Sequence, residues 1–191
     1  MNRTEYFMQN NTDRIPSRAE CEDLMAQYTM LPNIVEHSFQ VMHVALAITD
    51  NLADDVSINR DAVIAGALLH DITKTRSLQT KEKHAASGGA LLRELGFPLI
   101  AGIVEQHVVC DLNPAGPIVE TEIVYYADKR VMHDKIVTLE ERVQDLLIRY
   151  GKTEELRNRI LENLQHVIPI ERKLNRFMKT DIHDAIKKIA G

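Results

Sequence analysis

A histidine followed directly by an aspartate, His70-Asp71, closes the apolar run Ala62–Leu69. A helix that buries such a run has no reason to end in an imidazole and a carboxylate, because an unpaired polar or charged group is costly to bury. Neighbouring helix positions point about 100° apart, so both side chains reach one centre only near the helix end. A divalent metal satisfies that geometry, and imidazole with carboxylate suits iron, manganese or zinc.

Other candidate ligands sit on apolar stripes. His37 heads Val41, Val44, Ala45, Ile48 and Leu52, all on one helical face. His70 continues Val63, Gly66 and Ala67, and His84 begins Gly88, Leu91 and Leu95. His107 ends Ile100, Ile103 and Val104, and Asp128 shares a face with Thr121, Val124, Tyr125 and Met132. Any one of these histidines alone is most simply a hydrogen-bonded core residue, and Asp128 alone a capping or salt-bridged carboxylate. Four histidines and two aspartates directed at one core are very costly without a cation, and two divalent ions fit the six side chains better than one. His43, His133, His166 and His183 read as surface or structural residues.

The elements that must position these residues read as helices almost throughout. Ser17-Arg-Ala-Glu20 is a capping box for a helix to about Thr29 that stops before Pro32. Further helices are expected over about 35–52, from near Ser57 to His70, over about 81–95, from Pro98 to near His107, and over about 119–133. The turn-rich segment 111–117 is a loop. A second capping box, Thr138-Leu-Glu-Glu141, opens a helix that ends at Gly151, and later helical segments break at Pro169. No segment shows the alternation of a strand. The expectation is an all-α bundle in one domain, with a core over about 18–135 and a C-terminal helical extension over about 136–191.

Composition excludes several classes. The 191 residues are 45% hydrophobic and 27% charged, with net charge −5, the balance of a globular domain able to bury a sizeable core. The first two thirds are acidic and the rest slightly basic, so no long nucleic acid is expected as partner. No apolar run approaches a membrane span, the N-terminus is polar, and two cysteines form no disulfide framework. A cytoplasmic location is the expectation. The cations Lys74, Arg76, Lys81 and Lys83 follow His70-Asp71 closely, and Lys129-Arg130 follow Asp128.

The order His37, His70-Asp71, Asp128, with Glu36-His-Ser-Phe-Gln-Val41 and Gly66-Ala-Leu-Leu-His-Asp-Ile-Thr-Lys74, resembles the HD superfamily of metal-dependent phosphohydrolases. His84, in Lys83-His-Ala-Ala-Ser-Gly-Gly89, and His107 resemble its binuclear branch, which includes bacterial symmetric diadenosine tetraphosphate hydrolases. By that resemblance His37, His70, Asp71 and Asp128 hold one metal, and Asp71, His84 and His107 a second. Iron is then the expected metal, with manganese the alternative. Three positions depart from related branches. No Gly-Tyr-Pro element follows as in cyclic-di-GMP phosphodiesterases, and Lys74-Thr75 stands where alarmone hydrolases carry Glu-Asp. Val108 stands where the diadenosine tetraphosphate hydrolases usually have threonine.

The implied chemistry is hydrolysis of a phosphate ester or anhydride of a small nucleotide-like molecule, by a metal-bridging water attacking phosphorus in line. Asp71 is the bridge, and Lys74 is close enough to bind a phosphate oxygen. Arg130 is a bidentate phosphate donor, with Lys129 and Arg76 as weaker candidates. The plainer reading of these cations is a solvated face. Two rival functions are a metal-stabilised nucleotide-binding regulatory domain and a di-iron oxygenase. The C-terminal helices either pack on the core, the expected arrangement, or pair two chains into a homodimer.

Overall fold

A computed structural model describes residues 14–190. Helix α1 (Arg18–Gln27) begins with both reciprocal bonds of the Ser17/Glu20 capping box, as expected. Helix α2 (Pro32–Thr49) starts earlier than the sequence reading, because Pro32 occupies its first turn, where a missing N–H costs nothing. Helix α3 (Arg60–Leu69) is capped by the Asn59 side chain, which accepts from the Ala62 amide.

After Leu69 the chain turns through residues 70–73 and re-enters a short helix, α4 (Lys74–Thr80). Helices α5 (His84–Glu94) and α6 (Pro98–Glu105) form a tight pair around Gly96, whose φ of 85° ends α5 in the left-handed region. Helix α7 (Glu120–Lys129) follows the loop and packs between α2 and α3. Their apolar stripes meet in one core that includes Val41, Val44, Ala45, Ile48, Val63, Ala67, Ile103, Val104, Ile123 and Val124. Gly66 on α3 permits the close approach of α6: a Cβ there would lie 2.7 Å from Ile103 Cγ2.

The fold is all-α, with one departure. The sixth expected helix, drawn to His133, stops at Lys129, and β1 (Val131–Met132) pairs antiparallel with β2 (Lys135–Ile136). Two-residue strands are too short to show a period-2 pattern. Helix α8 (Leu139–Tyr150) carries the second capping box, and α9 (Glu154–Arg176) runs straight through Pro169 rather than breaking there. Burial of Val167, Ile170, Lys173 and Leu174 on that helix outweighs the roughly 3 kcal/mol disfavouring an internal proline. Helix α10 (Ile182–Lys187) packs on α2, and Phe177–Lys179 bond the backbone of Asn51 and Ala53. No helix of the described residues is long and apolar enough to cross a membrane.

Candidate metal centre

Six side chains converge where α2, α3, α5, α6 and α7 meet. His37 projects from α2, His70 is the residue that caps the end of α3, and Asp71 lies in the following turn. His84 is the first residue of α5, His107 follows α6, and Asp128 sits in the last turn of α7. All are buried except His84, which is partly exposed. Helix ends supply most of them because there a side chain leaves the packed stripe while its backbone remains anchored.

The distances describe one cluster with a shared carboxylate. His37 Nε2 is 3.0 Å from Asp128 Oδ1, and His70 Nε2 is 3.8 Å from the same oxygen. Asp71 divides its two oxygens: Oδ2 lies 3.4 Å from His70 Nε2, while Oδ1 lies 3.3 Å from His84 Nε2 and 3.5 Å from His107 Nε2. His84 and His107 face each other through Nε2 atoms 3.0 Å apart. Metal–ligand bonds near 2.1 Å separate neighbouring ligand atoms by about 3.0–3.4 Å at octahedral or tetrahedral angles, and the separations found run from 3.0 to 3.8 Å. The groups His37, His70, Asp71 and Asp71, His84, His107 are each compact enough to hold an ion.

The histidine tautomers are fixed from behind. Nδ1–H of His37 donates to the His133 carbonyl (2.8 Å), that of His70 to Ala67 (2.8 Å) and that of His107 to Val104 (2.6 Å). A carbonyl only accepts, so each Nε2 keeps its lone pair and aims it at the cluster, the arrangement a metal ligand needs. His70 Nε2 and Asp71 Oδ1 are buried with no hydrogen-bond partner among the described residues. Two such atoms side by side are costly, and a divalent cation satisfies both. The cluster can therefore hold a divalent metal.

Charge balance favours deprotonated ligands. Burial works to raise the Asp71 carboxyl, but His70, His107 and Lys74 beside it hold it well below the usual carboxylate range. At Asp128 burial is likewise overcome, by Lys129, His37 and His70. Burial pushes the His84 imidazole down to about 4, so it is neutral at physiological pH.

The expected substrate cations separate into two groups. Lys74 Nζ bonds Asp71 Oδ2 (2.9 Å), and its side chain, 40% exposed, edges a cavity of about 370 Å³ that opens on His37 and Asp71. Burial lowers and Asp71 raises the Lys74 ammonium, and the carboxylate prevails. Lys129 holds Asp128 Oδ2 (2.7 Å) and the His107 carbonyl (2.8 Å), so it steadies two candidate ligands and does not line that cavity.

Arg130 corrects the sequence reading. Its guanidinium is buried, with Nε on the Val137 carbonyl and Nη1 on Tyr126 Oη, both at 2.8 Å, and it does not line that cavity, so packing engages these donors. Arg76 pairs with Glu82 on the exposed side of α4, away from the cavity.

The sequence reading missed residues that do line the cavity: Asn33, His133, Arg142, Arg149 and Tyr150. His133 was expected to be peripheral. It is placed by the hairpin turn, at φ 58°, where its carbonyl orients His37 and its Nε2 meets Arg149. Arg142, Leu146, Arg149 and Tyr150 share one face of α8 at helical spacing, a signal legible only once that helix is known to cover the site.

Comparison with known proteins agrees with this geometry. The HD domain model matches residues 34–133, a span that contains all six converging side chains. The chain is 36% identical over 112 residues to a dihydroneopterin 2',3'-cyclic phosphate phosphodiesterase of Methanocaldococcus jannaschii, covering 50% of this chain and 45% of that one. It is 29% identical over 145 residues to a tRNA (cytidine(56)-2'-O)-methyltransferase of Thermoplasma volcanium, covering 69% and 41%. A Picrophilus torridus protein of the same name is 28% identical over 141 residues, covering 66% and 40%. The chain thus spans less than half the length of these curated relatives. No solved structure matches it. With the match extending over half the sequence and enclosing the whole histidine–aspartate cluster, the chain belongs to the HD domain family.

Proposed function

We propose that this protein is a metal-dependent phosphohydrolase that cleaves a phosphate ester or anhydride of a small nucleotide-like molecule. The observation that carries this reading is Asp71, whose two oxygens face different histidines while one remains unpartnered among the described residues. His37, His70, Asp71 and Asp128 would hold one divalent ion and Asp71, His84 and His107 a second, as in the binuclear branch. Iron is the expected metal and manganese the alternative, by the resemblance to the binuclear branch. When bound, such ions supply positive charge for phosphoryl oxygens and make water a nucleophile near neutral pH.

The chain's own residues prepare the site. The backbone carbonyls behind His37, His70 and His107 fix which nitrogen faces inward. Lys129 keeps Asp128 ionised and oriented. Lys74 stands at the cavity edge with its ammonium on Asp71, placed to move onto a phosphoryl oxygen as substrate enters. A cavity of about 370 Å³ suits a nucleotide-sized ligand. The phosphodiesterase relative supports a phosphate ester as the bond broken. Residues 136–191 then serve the same domain as 18–135, because α8 walls the cavity. The free thiols Cys21 and Cys110 fit a reducing cytoplasm.

A second reading, a metal-stabilised nucleotide-binding domain, draws support from the two methyltransferase relatives, in which the matched segment is about two fifths of the protein. Metal analysis of anaerobically purified protein, followed by a phosphate-release screen over nucleoside mono-, di- and cyclic phosphates and dinucleoside polyphosphates, separates the two. Release by the metal-loaded protein, abolished by His70→Ala, is expected. Tight nucleotide binding with no release under iron or manganese would favour the binding domain.

A further inference from the structure

The cavity beside the cluster has a wall that the matched domain does not supply. Helix α8 lies beyond residue 133 and presents Arg142, Leu146, Arg149 and Tyr150 to it. The two arginines differ in their partners. Arg149 is committed: Nε bonds Asp145 Oδ1 (2.7 Å), and Nη2 bonds Asp145 Oδ2 (2.5 Å) and His133 Nε2 (2.8 Å). Arg142 is not. Its ion-pair contact, Asp145 Oδ2, lies 3.8 Å away, and its Nε is buried without a hydrogen-bond partner among the described residues.

With its Nε unpartnered and its ion-pair contact at 3.8 Å, the Arg142 guanidinium is not held in place among the described residues and is free to turn its fork to a ligand in the cavity it lines. Lys74 lies on the same cavity, so two cations converge on the space that opens at Asp71. Their mutual repulsion is relieved by an anion with more than one acceptor oxygen. The guanidinium fork matches phosphate bidentately, whereas the Lys74 ammonium acts as a point charge. Leu146 and Tyr150 beside it offer an apolar and an aromatic surface, suited to a flat base.

We infer that Arg142 is the phosphate anchor of this site, a specificity-determining residue on α8 that holds a phosphate group of a nucleotide-type ester while Leu146 and Tyr150 receive its base. The identity of the ester's reaction rests on the phosphohydrolase reading. The anchoring itself requires no metal.

The test is calorimetric binding of AMP, and of adenosine as the phosphate-free probe, to the metal-free full chain. The variants are Arg142→Gln and Arg142→Lys, with Arg93→Ala as control, since neither Arg93 nor its partner Glu105 lines the cavity. Arg142→Gln is expected to weaken AMP at least about tenfold, as for loss of a charge-assisted hydrogen bond, and to leave adenosine unchanged. Arg142→Lys recovers part of the loss, and Arg93→Ala shows none. If the glutamine variant does not fold, the lysine variant still reads, with a loss of about threefold or more expected from the missing fork. In the metal-loaded protein KM rises by a similar factor and kcat changes less. AMP affinity equal to wild type in the Arg142 variants, an equal loss for adenosine, or no AMP binding by wild type overturns the anchor. Anchoring without hydrolysis of any ester would remove the phosphohydrolase reading and leave the anchor standing. Hydrolysis with unchanged KM in the variants would do the reverse.

Discussion

Two buried polar regions of this molecule lie on opposite ends of α7 and differ in one respect. At the N-terminal end Glu122 and Lys173 form an ion pair at 2.7 Å, each 1% exposed, and the ammonium also donates to the carbonyls of Asn113 and Pro117. All three of its donors are used. Just past the C-terminal end, Arg130 is held through Nε by Val137 and through Nη1 by Tyr126, and Tyr126 by Glu171. His70 and Asp71 in the histidine–aspartate cluster are as deeply buried, yet His70 Nε2 and Asp71 Oδ1 are without partners among the described residues. Closed networks hold the C-terminal helices onto the core. The open one could hold a metal ion. Burial of charge alone does not mark a functional site; burial with convergent, unmet acceptors does.

The sharpest break in this comparison is Asp71→Asn. It removes the carboxylate that both ligand groups share, so metal content and phosphate release should fall by about a thousandfold or more, the equivalent of several kcal/mol of lost charge stabilisation. Stability of the metal-free protein should fall far less, because among the described residues Oδ1 is unpartnered and the variant gives up only the ion pair of Oδ2 with the partly exposed Lys74. Added manganese should raise the melting temperature of wild type and not of this variant.

Lys173→Ala should do the opposite. It strands Glu122 in the core and costs about 3–5 kcal/mol in urea unfolding, with metal stoichiometry kept in the protein that remains folded. Arg130→Ala follows at about 1–3 kcal/mol, again with metal content unchanged; a lost metal with normal stability would return Arg130 to the site.

The pH response distinguishes the regions more gently. The His84 imidazole has a folded pKa of about 4 against an ordinary 6.5, so between those values the unfolded chain binds the proton and the folded one does not. Stability of the metal-free protein should therefore decline as pH falls from 6.5 towards 4. The Asp71 and Asp128 carboxylates, with lowered pKa values, withdraw their contribution only below the ordinary carboxylate range. In His84→Gln the decline should be shallower, as read from melting temperatures across that range. The smallest effect is expected at Ser17→Ala, which removes the α1 cap for about 1 kcal/mol and touches neither region.

The sequence made the cluster legible because each ligand sits on an apolar stripe, where an imidazole or carboxylate is conspicuous. The same reasoning placed the α1 and α8 caps and the end of α5 at Gly96. It failed where the signal is tertiary. Arg130 follows Asp128 in sequence, but the chain leaves α7 between them, and the guanidinium turns towards β2 and the C-terminal helices. His133 looked peripheral because its role comes from a left-handed turn and a backbone carbonyl. Arg142 and Arg149 look like part of a solvated helical face until α8 is seen to roof the cavity. Pro169 suggested a break that packing overrode.

Asp71 is proposed to join two metal sites. Its most direct test is metal stoichiometry per chain, by mass spectrometry after anaerobic reconstitution with iron or manganese and removal of free ion. About two ions are expected in wild type, about one in His84→Ala and none in Asp71→Asn. Wild-type protein that retains no metal, or an Asp71→Asn variant that retains as much as wild type, would contradict it.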